Sequence, residues 1–293
     1  MLGRFIQSLP KPDWLKGKLG YSFLFPSLAL IGLLIAGLGI LLWYSLQTFH
    51  PIYLMESKIT GANYIRIFTN QFYWILIWRT AYVSVTVTLL SIIFAYPYAY
   101  IVTRTESIFL RKLLLILSLV PFTIGTIIRA YAWLIVMGKN GLINAISFTV
   151  TGVRVKLMYT GPAVIIGLLQ IMIPIAIIQM IPAFVTIKRE MEMAAENCGA
   201  NRWKTFLYIL IPLSRAGLTS AALVTFTLTF TSYAVPKFLG GGKFNLIGNQ
   251  IYQQIFRTMN WPFAGAISLV ALLIASGFIY SIFHLLGRGE MRM

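Results

Sequence analysis

Acidic residues are scarce in this 293-residue sequence, which has seven Asp and Glu against 24 Lys and Arg. Only 11% of the residues are charged and 58% are hydrophobic, whereas soluble domains are roughly a quarter charged and half apolar. Such a chain would expose large apolar patches in water, which excludes an ordinary soluble enzyme and a disordered segment. The single cysteine, Cys198, excludes an internal disulfide and a multi-cysteine metal or iron–sulfur site. The net charge of +17 would suggest nucleic acid for a soluble protein, but a lipid bilayer is the better partner here.

Six apolar stretches are long enough to cross a bilayer, which takes roughly 20 residues. They lack the alternation of a barrel strand, so the sequence predicts an all-α polytopic membrane protein with six transmembrane helices. The apolar run at 72–78 is expected to lie in the membrane interface, with seven spans as the alternative. The predicted spans are 21–43, 80–103, 113–137, 161–187, 216–236 and 263–286.

The distribution of basic residues predicts the orientation. The alternate segments 1–20, 104–112, 188–215 and 287–293 carry 14 Lys and Arg in 64 residues, and the intervening segments carry nine in 85. The denser set is expected to be cytoplasmic, which places both termini in the cytoplasm. The first span is too long for a signal peptide and no A-x-A site follows it, so it is predicted to stay uncleaved. The domain organisation is then a cytoplasmic segment 1–20, one transmembrane domain 21–286 and a tail 287–293.

None of the acidic residues falls in a predicted span. Ion-coupled transporters usually hold a carboxylate at membrane depth, and a membrane enzyme needs a buried nucleophile with a base. With two histidines in the whole chain, we expect no metal site and no catalytic residues. The sequence also has no G-x-x-x-x-G-K-[ST] phosphate loop. The remaining classes of protein are a channel, a scaffold, or one subunit of an assembly that is powered by another polypeptide.

The predicted cytoplasmic loop 188–215 contains two amphipathic repeats. Met191, Ala194, Ala195 and Cys198 follow helical spacing, and so does the set Trp203, Phe206, Leu207 and Leu210. Gly199 lies between the two repeats, where a helix end commonly needs a left-handed residue, and Pro212 is expected to close the second. A helical linker that only covers span ends would show the same periodicity.

The full loop sequence resembles the EAA loop of ABC-importer membrane subunits. That pattern is E-A-A, three residues, G, nine residues and I-x-L-P, whereas this chain has Met193 in place of the Glu and Ile211 in place of the Leu. The resemblance leaves open whether Glu192 or Glu196 replaces the missing carboxylate. It implies a type I importer permease whose loop contacts an ATP-hydrolysing subunit through Glu192, Ala194, Ala195, Glu196, Gly199, Ile209 and Pro212.

The resemblance also implies partners. They are a second permease subunit, a dimer of cytoplasmic ATP-binding subunits that carries ATP and Mg, and a periplasmic or lipid-anchored substrate-binding protein. No cofactor and no nucleic acid is expected on this chain, which would be a multi-pass protein of the bacterial inner membrane. Strings such as Tyr96-Pro97 and 138–144 (G-K-N-G-L-I-N) are similar to spermidine/putrescine-type permeases. Related importers of iron, thiamine, aminophosphonates, opines or amino-acid-like solutes are the alternatives.

Three features are candidates for the substrate path. A polar face on span five is one, although hydroxyl residues also serve helix packing. Arg129 is the second, with snorkelling to the outer headgroups or a structural ion pair as the alternative. Aromatic side chains near the outer span ends are the third; they bind ammonium groups by cation–π contacts but also form interfacial belts. A polyamine path without a membrane carboxylate is electrostatically unusual, so the substrate stays open. The candidate path residues are Thr225, Thr229, Ser232, Arg129, Tyr131, Trp133 and Tyr233.

Overall fold

The computed structural model describes residues 25–287. The predictions for segment 1–20, for the first residues of span one (21–24) and for 288–293 of the tail lie outside the described residues. The described chain is helical apart from one two-stranded antiparallel ribbon, β1 (Gln47–Thr48) with β2 (Glu56–Ile59). The helices are α1 (Phe25–Ser45), α2 (Ala62–Thr69), α3 (Gln71–Arg104), α4 (Ile108–Thr123), α5 (Thr126–Met137), α6 (Leu142–Thr151), α7 (Gly161–Thr186), α8 (Arg189–Asn197), α9 (Arg202–Thr205), α10 (Ile211–Leu213), α11 (Arg215–Phe230), α12 (Ala234–Leu239), α13 (Ile247–Phe256) and α14 (Trp261–Leu286), with a π-helical segment at Phe206–Leu210.

Five stretches of the described chain are long and apolar enough to cross a membrane, and a sixth counts if a bent helix pair forms one span. The five are Phe25–Ser45, Gln71–Arg104, Thr126–Thr151, Gly161–Thr186 and Trp261–Leu286, and the pair is Arg202–Leu213 with Arg215–Phe230, bent by 69°. The predicted all-α polytopic fold is confirmed. Three of the predicted spans differ in their bounds from the helices of the described chain.

The helix of span two is longer than predicted, because 72–78 continues into it as one helix of 34 residues. Asn70 starts this helix by accepting a 2.9 Å hydrogen bond from the Phe72 N–H, and no Gly or Pro interrupts residues 71–96. At 1.5 Å per residue α3 is about 51 Å long, well beyond the thickness of the hydrocarbon core. Its C-terminal end, at Tyr100 and Arg104, contacts the loop that follows α7.

Predicted span three, 113–137, is two helices. α4 ends at Thr123, whose Oγ1 donates to the Val120 carbonyl at 2.8 Å, and α5 starts again after Gly125, a poor helix former. Helix α6 lies within 138–160, which the sequence analysis placed in an outer loop.

Predicted span five, 216–236, also ends early, at Phe230. Pro236 disfavours a continuous helix there, because its ring would clash with the Ser232 carbonyl four residues earlier. Residues 231–233 form a turn, and the short helix α12 follows. Ser232 and Tyr233 therefore lie outside the helix that carries Thr225 and Thr229.

The core is built where α3, α7 and α11 pack together. Small side chains allow a close approach, as is common between membrane helices. A Cβ added to Gly217 of α11 would lie 2.6 Å from the Ala183 Cβ of α7, and Ala95, Ala176 and Ala221 are fully buried near the same crossing. The two-helix loop connects the end of α7 to the start of α11. The close crossing therefore holds α3 in a fixed position relative to this loop.

Helix α1 is peripheral and packs on α14. It exposes apolar side chains along its length, with Leu30 and Leu33 at 70% and 73% exposure, as a lipid-facing helix requires. Its end is tied to α2, since the Asn63 Nδ2 donates to the Ser45 carbonyl and the Ser45 and Tyr64 hydroxyls share a 2.6 Å hydrogen bond.

Candidate coupling site and substrate path

The loop between α7 and α11 folds into two short helices, as its periodicity predicts. Gly199, between them, has φ +81°. The Gly199 N–H donates to the Glu196 carbonyl at 2.9 Å and the Ala200 N–H to the Ala195 carbonyl at 3.0 Å, which is a Schellman ending. Asn201 then starts α9 by accepting from the Lys204 N–H at 2.8 Å. The predicted left-handed glycine is confirmed, and it fixes the angle between the two helices.

Pro212 does not close the second repeat. The chain passes from the π-helical segment into α10 and bends at Ser214, two residues beyond the proline. A proline in the first turn of a helix needs no N–H partner, so it is tolerated there. Ile209 and Pro212 are both half-buried.

Glu192 anchors α8 to the end of α3. Its carboxylate forms an ion pair with Arg104 and accepts a 2.7 Å hydrogen bond from the Tyr100 hydroxyl. Arg104 also donates to the Ile187 carbonyl at 3.0 Å, directly before α8. Since Glu192 is only 9% exposed, its charge depends on these partners rather than on water.

Tyr96 makes a second connection between α3 and the loop. Its hydroxyl shares a 3.0 Å hydrogen bond with Ser214 Oγ at the bend, and its ring packs edge-on against Phe184 and Phe206. Tyr96, Tyr100 and Arg104 are spaced by four residues, so all three lie on one face of α3. The sequence analysis missed Tyr100 and Arg104 and used Tyr96 only for resemblance. The signal was a basic residue and two tyrosines at helical spacing near a predicted cytoplasmic span end.

The opposite side of α8 is uncovered in the isolated chain. Met191, Ala194 and Cys198 are exposed, whereas Ala195 is buried beside Glu192, so the predicted four-residue face is divided between solvent and protein. Met193 and Glu196 are also exposed. Of the two candidates for the missing carboxylate, Glu192 is buried and paired within the subunit, whereas Glu196 is exposed. A cavity of about 460 Å³ lies beside them, lined by Arg189, Arg202 and Phe206 among others.

A surface ion pair also connects α8 to the turn after α3. Arg189 Nη1 lies 2.8 Å from Glu106 Oε1 in the turn after α3. The nearby guanidinium lowers the pKa of Glu106, so the pair contributes above the ordinary carboxyl pKa and is lost as acidification protonates Glu106. Both partners are exposed, so this pair contributes little stability.

The predicted path residues on span five lie inside the subunit. Thr225 and Thr229 are fully buried, and Thr225 Oγ1 donates to the Ala221 carbonyl of its own helix at 2.6 Å. Ser232 lies in the turn after α11, so the predicted three-residue face is wrong at that position. This burial favours helix packing, and a path role for Thr225 and Thr229 stays a prediction.

Arg129 is buried at 7% exposure in α5, and snorkelling stays one of its predicted alternatives. Its Nη2 donates weakly to Thr126 Oγ1 at 3.4 Å, and within residues 25–287 no carboxylate pairs with it. The Nε and Nη1 atoms have no hydrogen-bond partner in the described chain. An uncompensated charge in a span is costly, which keeps Arg129 a functional candidate.

The aromatic candidates do not form one cluster. The Tyr131 ring contacts Phe238, and the Tyr233 ring stacks on Tyr252 with centroids 4.2 Å apart. Trp133 Nε1 donates to Gln170 Oε1 in the middle of α7 at 2.6 Å.

The sequence analysis also missed two amides in α7. Gln170 accepts from Trp133, and Gln179 accepts a 2.9 Å hydrogen bond from the Ser220 hydroxyl of α11. Both are half-buried within an apolar span, where amides are unusual enough to be noticed from sequence. Within residues 25–287, no group of three or more His, Cys, Asp or Glu side chains is arranged so that it could hold a metal ion.

The described chain is a multi-pass helical bundle whose two-helix loop is tied to α3. The model of one family, described as the binding-protein-dependent transport system inner membrane component, matches residues 88–286, and the chain belongs to this family. It is a permease subunit of an ABC importer and not an enzyme.

Curated relatives match most of the chain. The spermidine/putrescine transport system permease protein PotB of Haemophilus influenzae is 30% identical over 229 residues, which cover 76% of this chain and 78% of the relative. PotB of Escherichia coli is 29% identical over 222 residues, covering 75% and 80%. The inner membrane ABC transporter permease protein YdcU of Escherichia coli is 28% identical over 249 residues, covering 80% and 79%.

A crystal structure of a bacterial ABC transporter involved in the import of the acidic polysaccharide alginate has a similar chain. The TM-score is 0.69 at 16% identity, covering 97% of this chain and 99% of the other. At this identity the likeness concerns the fold alone, and the fold is that of an importer permease.

Proposed function

We propose that this chain is one of two permease subunits in a bacterial inner-membrane importer of polyamines such as spermidine and putrescine. The names of the PotB relatives support the substrate class, and the similarity extends over more than three quarters of the chain's length in the Haemophilus protein. The path would lie between the two permeases, and a substrate-binding protein would deliver the polyamine from outside. An importer of another small solute is the second candidate, supported by the similarity to the putative ferric permease FbpB of Haemophilus influenzae, which is 26% identical.

In this proposal the loop 188–215 and both termini face the cytoplasm. A dimer of ATP-binding subunits, which would hold ATP and Mg, docks on α8. The observation that carries the proposal is the division of α8 into two faces. Glu192 and Ala195 face the subunit, and Met191, Ala194 and Cys198 form an uncovered face of small and flexible side chains. Such a face fits closely into a groove of a partner.

The proposal assigns a mechanical role to the tie at Glu192. When the ATP-binding subunits close and push α8, the Arg104 and Tyr100 contacts carry the displacement to α3. The Ser214 contact of Tyr96 carries it to the bend before α11. Because α3 and α11 pack against α7, the motion would reach the core of the subunit.

The variant Ala194→Asp tests the docking face. We expect it to insert and fold normally because Ala194 is exposed, but to lose the ATP-binding subunit on copurification and to lose ATP-driven spermidine uptake in proteoliposomes. A carboxylate placed in an apolar groove costs free energy because it is desolvated without a partner.

The matched control is Ala62→Asp, the same change at an exposed site in the first turn of α2 on the opposite side of the predicted membrane. It should keep uptake and copurification. Uptake by Ala194→Asp equal to that of Ala62→Asp would overturn the docking assignment. Spermidine uptake that an excess of unlabelled putrescine and spermidine does not reduce would overturn the substrate assignment. Purified chain that conducts ions by itself would favour a channel.

A further inference from the structure

A basic pocket lies on the side of the molecule opposite the α8 loop. It is formed by α12, α13 and the glycine turn between them, and its volume is about 260 Å³. Lys237 of α12 and Arg257, directly after α13, line it together with Tyr252 and Gln253. The lining contains no acidic residue, and within residues 25–287 neither cation forms an ion pair. We call this the outer pocket.

The walls of the outer pocket are fixed by Asn249, which is buried. Its Oδ1 accepts from the Leu246 N–H at 3.0 Å and its Nδ2 donates to the Tyr233 carbonyl at 3.0 Å. The Tyr252 ring stacks on Tyr233, so α13 is held against the turn before α12 on two sides. The two cations are therefore presented from a preorganised backbone, which lowers the entropy cost of binding.

The segments predicted to lie on the same side as the outer pocket are also basic. Segments 44–79, 138–160 and 237–262 hold nine Lys and Arg and a single acidic residue, Glu56, which is on β2. Three of the arginines stack on aromatic rings instead of meeting carboxylates. These are Arg66 over Phe263 at 4.5 Å, Arg79 over Phe244 at 4.8 Å and Arg154 over Phe148 at 5.5 Å. In the described chain this side is therefore left with positive charge that a partner can neutralise.

We propose that the outer pocket binds the carboxylate of an acidic side chain on the substrate-binding protein. The inference rests on the proposed function, including the orientation that places this side outside. A guanidinium binds a carboxylate through a two-pronged hydrogen bond, and a lysine and an amide beside it satisfy the remaining lone pairs. The volume suits one acidic side chain. A polyamine is repelled by the two cations, so the proposed substrate itself is a poor occupant.

The basic surroundings add long-range attraction. Complementary charge raises the association rate of two proteins, and the effect falls with ionic strength. The binding protein would thus be steered to this side by the whole set of cations and fixed in register by the outer pocket. Free polyamine, being of the same sign, would be disfavoured at the same surface.

The test is the affinity of the complete transporter in nanodiscs for its copurifying binding protein. The double variant Lys237→Glu and Arg257→Glu should weaken binding by at least about tenfold at low salt, as charge reversal at a desolvated contact does. It should also reduce the salt dependence of binding. The conservative swap Lys237→Arg and Arg257→Lys should keep most of the affinity, because the charges and the backbone are unchanged.

The matched control is Lys58→Glu and Lys139→Glu, which makes the same change in net charge at exposed sites elsewhere on this side. It should alter the association rate only modestly. Equal weakening by both double variants would overturn the outer pocket as a specific contact. So would loss of uptake at unchanged affinity, which would assign the pocket to the substrate while the importer function stood. A transporter that imports polyamine without any binding protein would overturn both proposals.

Discussion

At the scale of single residues, Glu192 is the position whose contacts in the structure differ most from the role that the sequence suggested. The resemblance made it one of two candidates for a carboxylate that contacts another subunit. The structure instead buries it against Arg104 and Tyr100, and leaves Glu196 exposed. A helical period of 3.6 separates the two residues by one turn plus a small rotation, so only the packing partners decide which one faces inward.

The variant Glu192→Gln removes the charge and keeps the shape. Breaking a buried pair from one side leaves the other charge without compensation, which costs about 3 kcal/mol. We expect a lower melting temperature of the purified subunit and a larger loss of uptake than of ATP hydrolysis, because the tie between α8 and α3 is weakened.

The control for this prediction is Glu196→Gln, an exposed site one turn away, which should leave the melting temperature unchanged. The double variant Glu192→Gln with Arg104→Gln should be less destabilised than the sum of its single changes, since neither charge is left alone. If the destabilisation by the two single changes were simply additive in the double variant, the ion pair between Glu192 and Arg104 would not stabilise the subunit.

At the scale of elements, the length of α3 and the crossing of α7 with α11 set the architecture. The absence of Gly and Pro from residues 71–96 favoured a long helix, yet the sequence analysis separated 72–78 from span two and placed it in the membrane interface. A membrane limits only the length of helix inside it, and residues 71–79 lengthen α3 at the end opposite Tyr100 and Arg104, which contact the α8 loop. The breaks at Gly125 and at Thr231–Tyr233 escaped notice because both lie within stretches that contain at most one charged residue and are long enough to be taken for continuous spans.

Gly217→Ala tests the close crossing of α7 and α11. The new methyl would lie 2.6 Å from the Ala183 Cβ, so the two helices must separate. Overpacking of this kind costs about 1–3 kcal/mol and should lower the melting temperature by several degrees.

Gly277→Ala in α14 is the control, because a Cβ added there meets nothing within 4 Å. It should be neutral or slightly stabilising, since alanine is the better helix former. If Gly217→Ala were as stable as Gly277→Ala, the close approach of α7 and α11 would be refuted.

At the scale of the whole molecule, the lack of acids in the membrane is the most informative feature. The candidate spans of the described chain contain no Asp or Glu, and their only buried charge is Arg129 with no carboxylate beside it. A proton or sodium gradient acts through groups that bind and release the ion at membrane depth, and this chain offers no such carboxylate. Energy is therefore expected to enter through the α8 loop.

Polyamine uptake into proteoliposomes with internal ATP should therefore keep its initial rate when a protonophore collapses the proton gradient. Vanadate, which blocks ATP hydrolysis, should abolish uptake and serves as the positive control. A rate that falls with the gradient while ATP hydrolysis continues would show that a coupling ion takes part, contrary to this prediction.

Composition and periodicity by themselves determined that the chain is a helical multi-pass membrane protein, because lipid permits few other ways to satisfy the hydrogen-bonding groups of the backbone. The local pattern around Gly199 also determined the two-helix loop and its left-handed turn, since capping depends on residues close in sequence. Only the tertiary structure decided which side of α8 is anchored, that Arg129 is buried, and that Lys237 and Arg257 meet in one pocket. Those features depend on contacts between residues far apart in the chain, and hydropathy and spacing carry no information about which helices become neighbours.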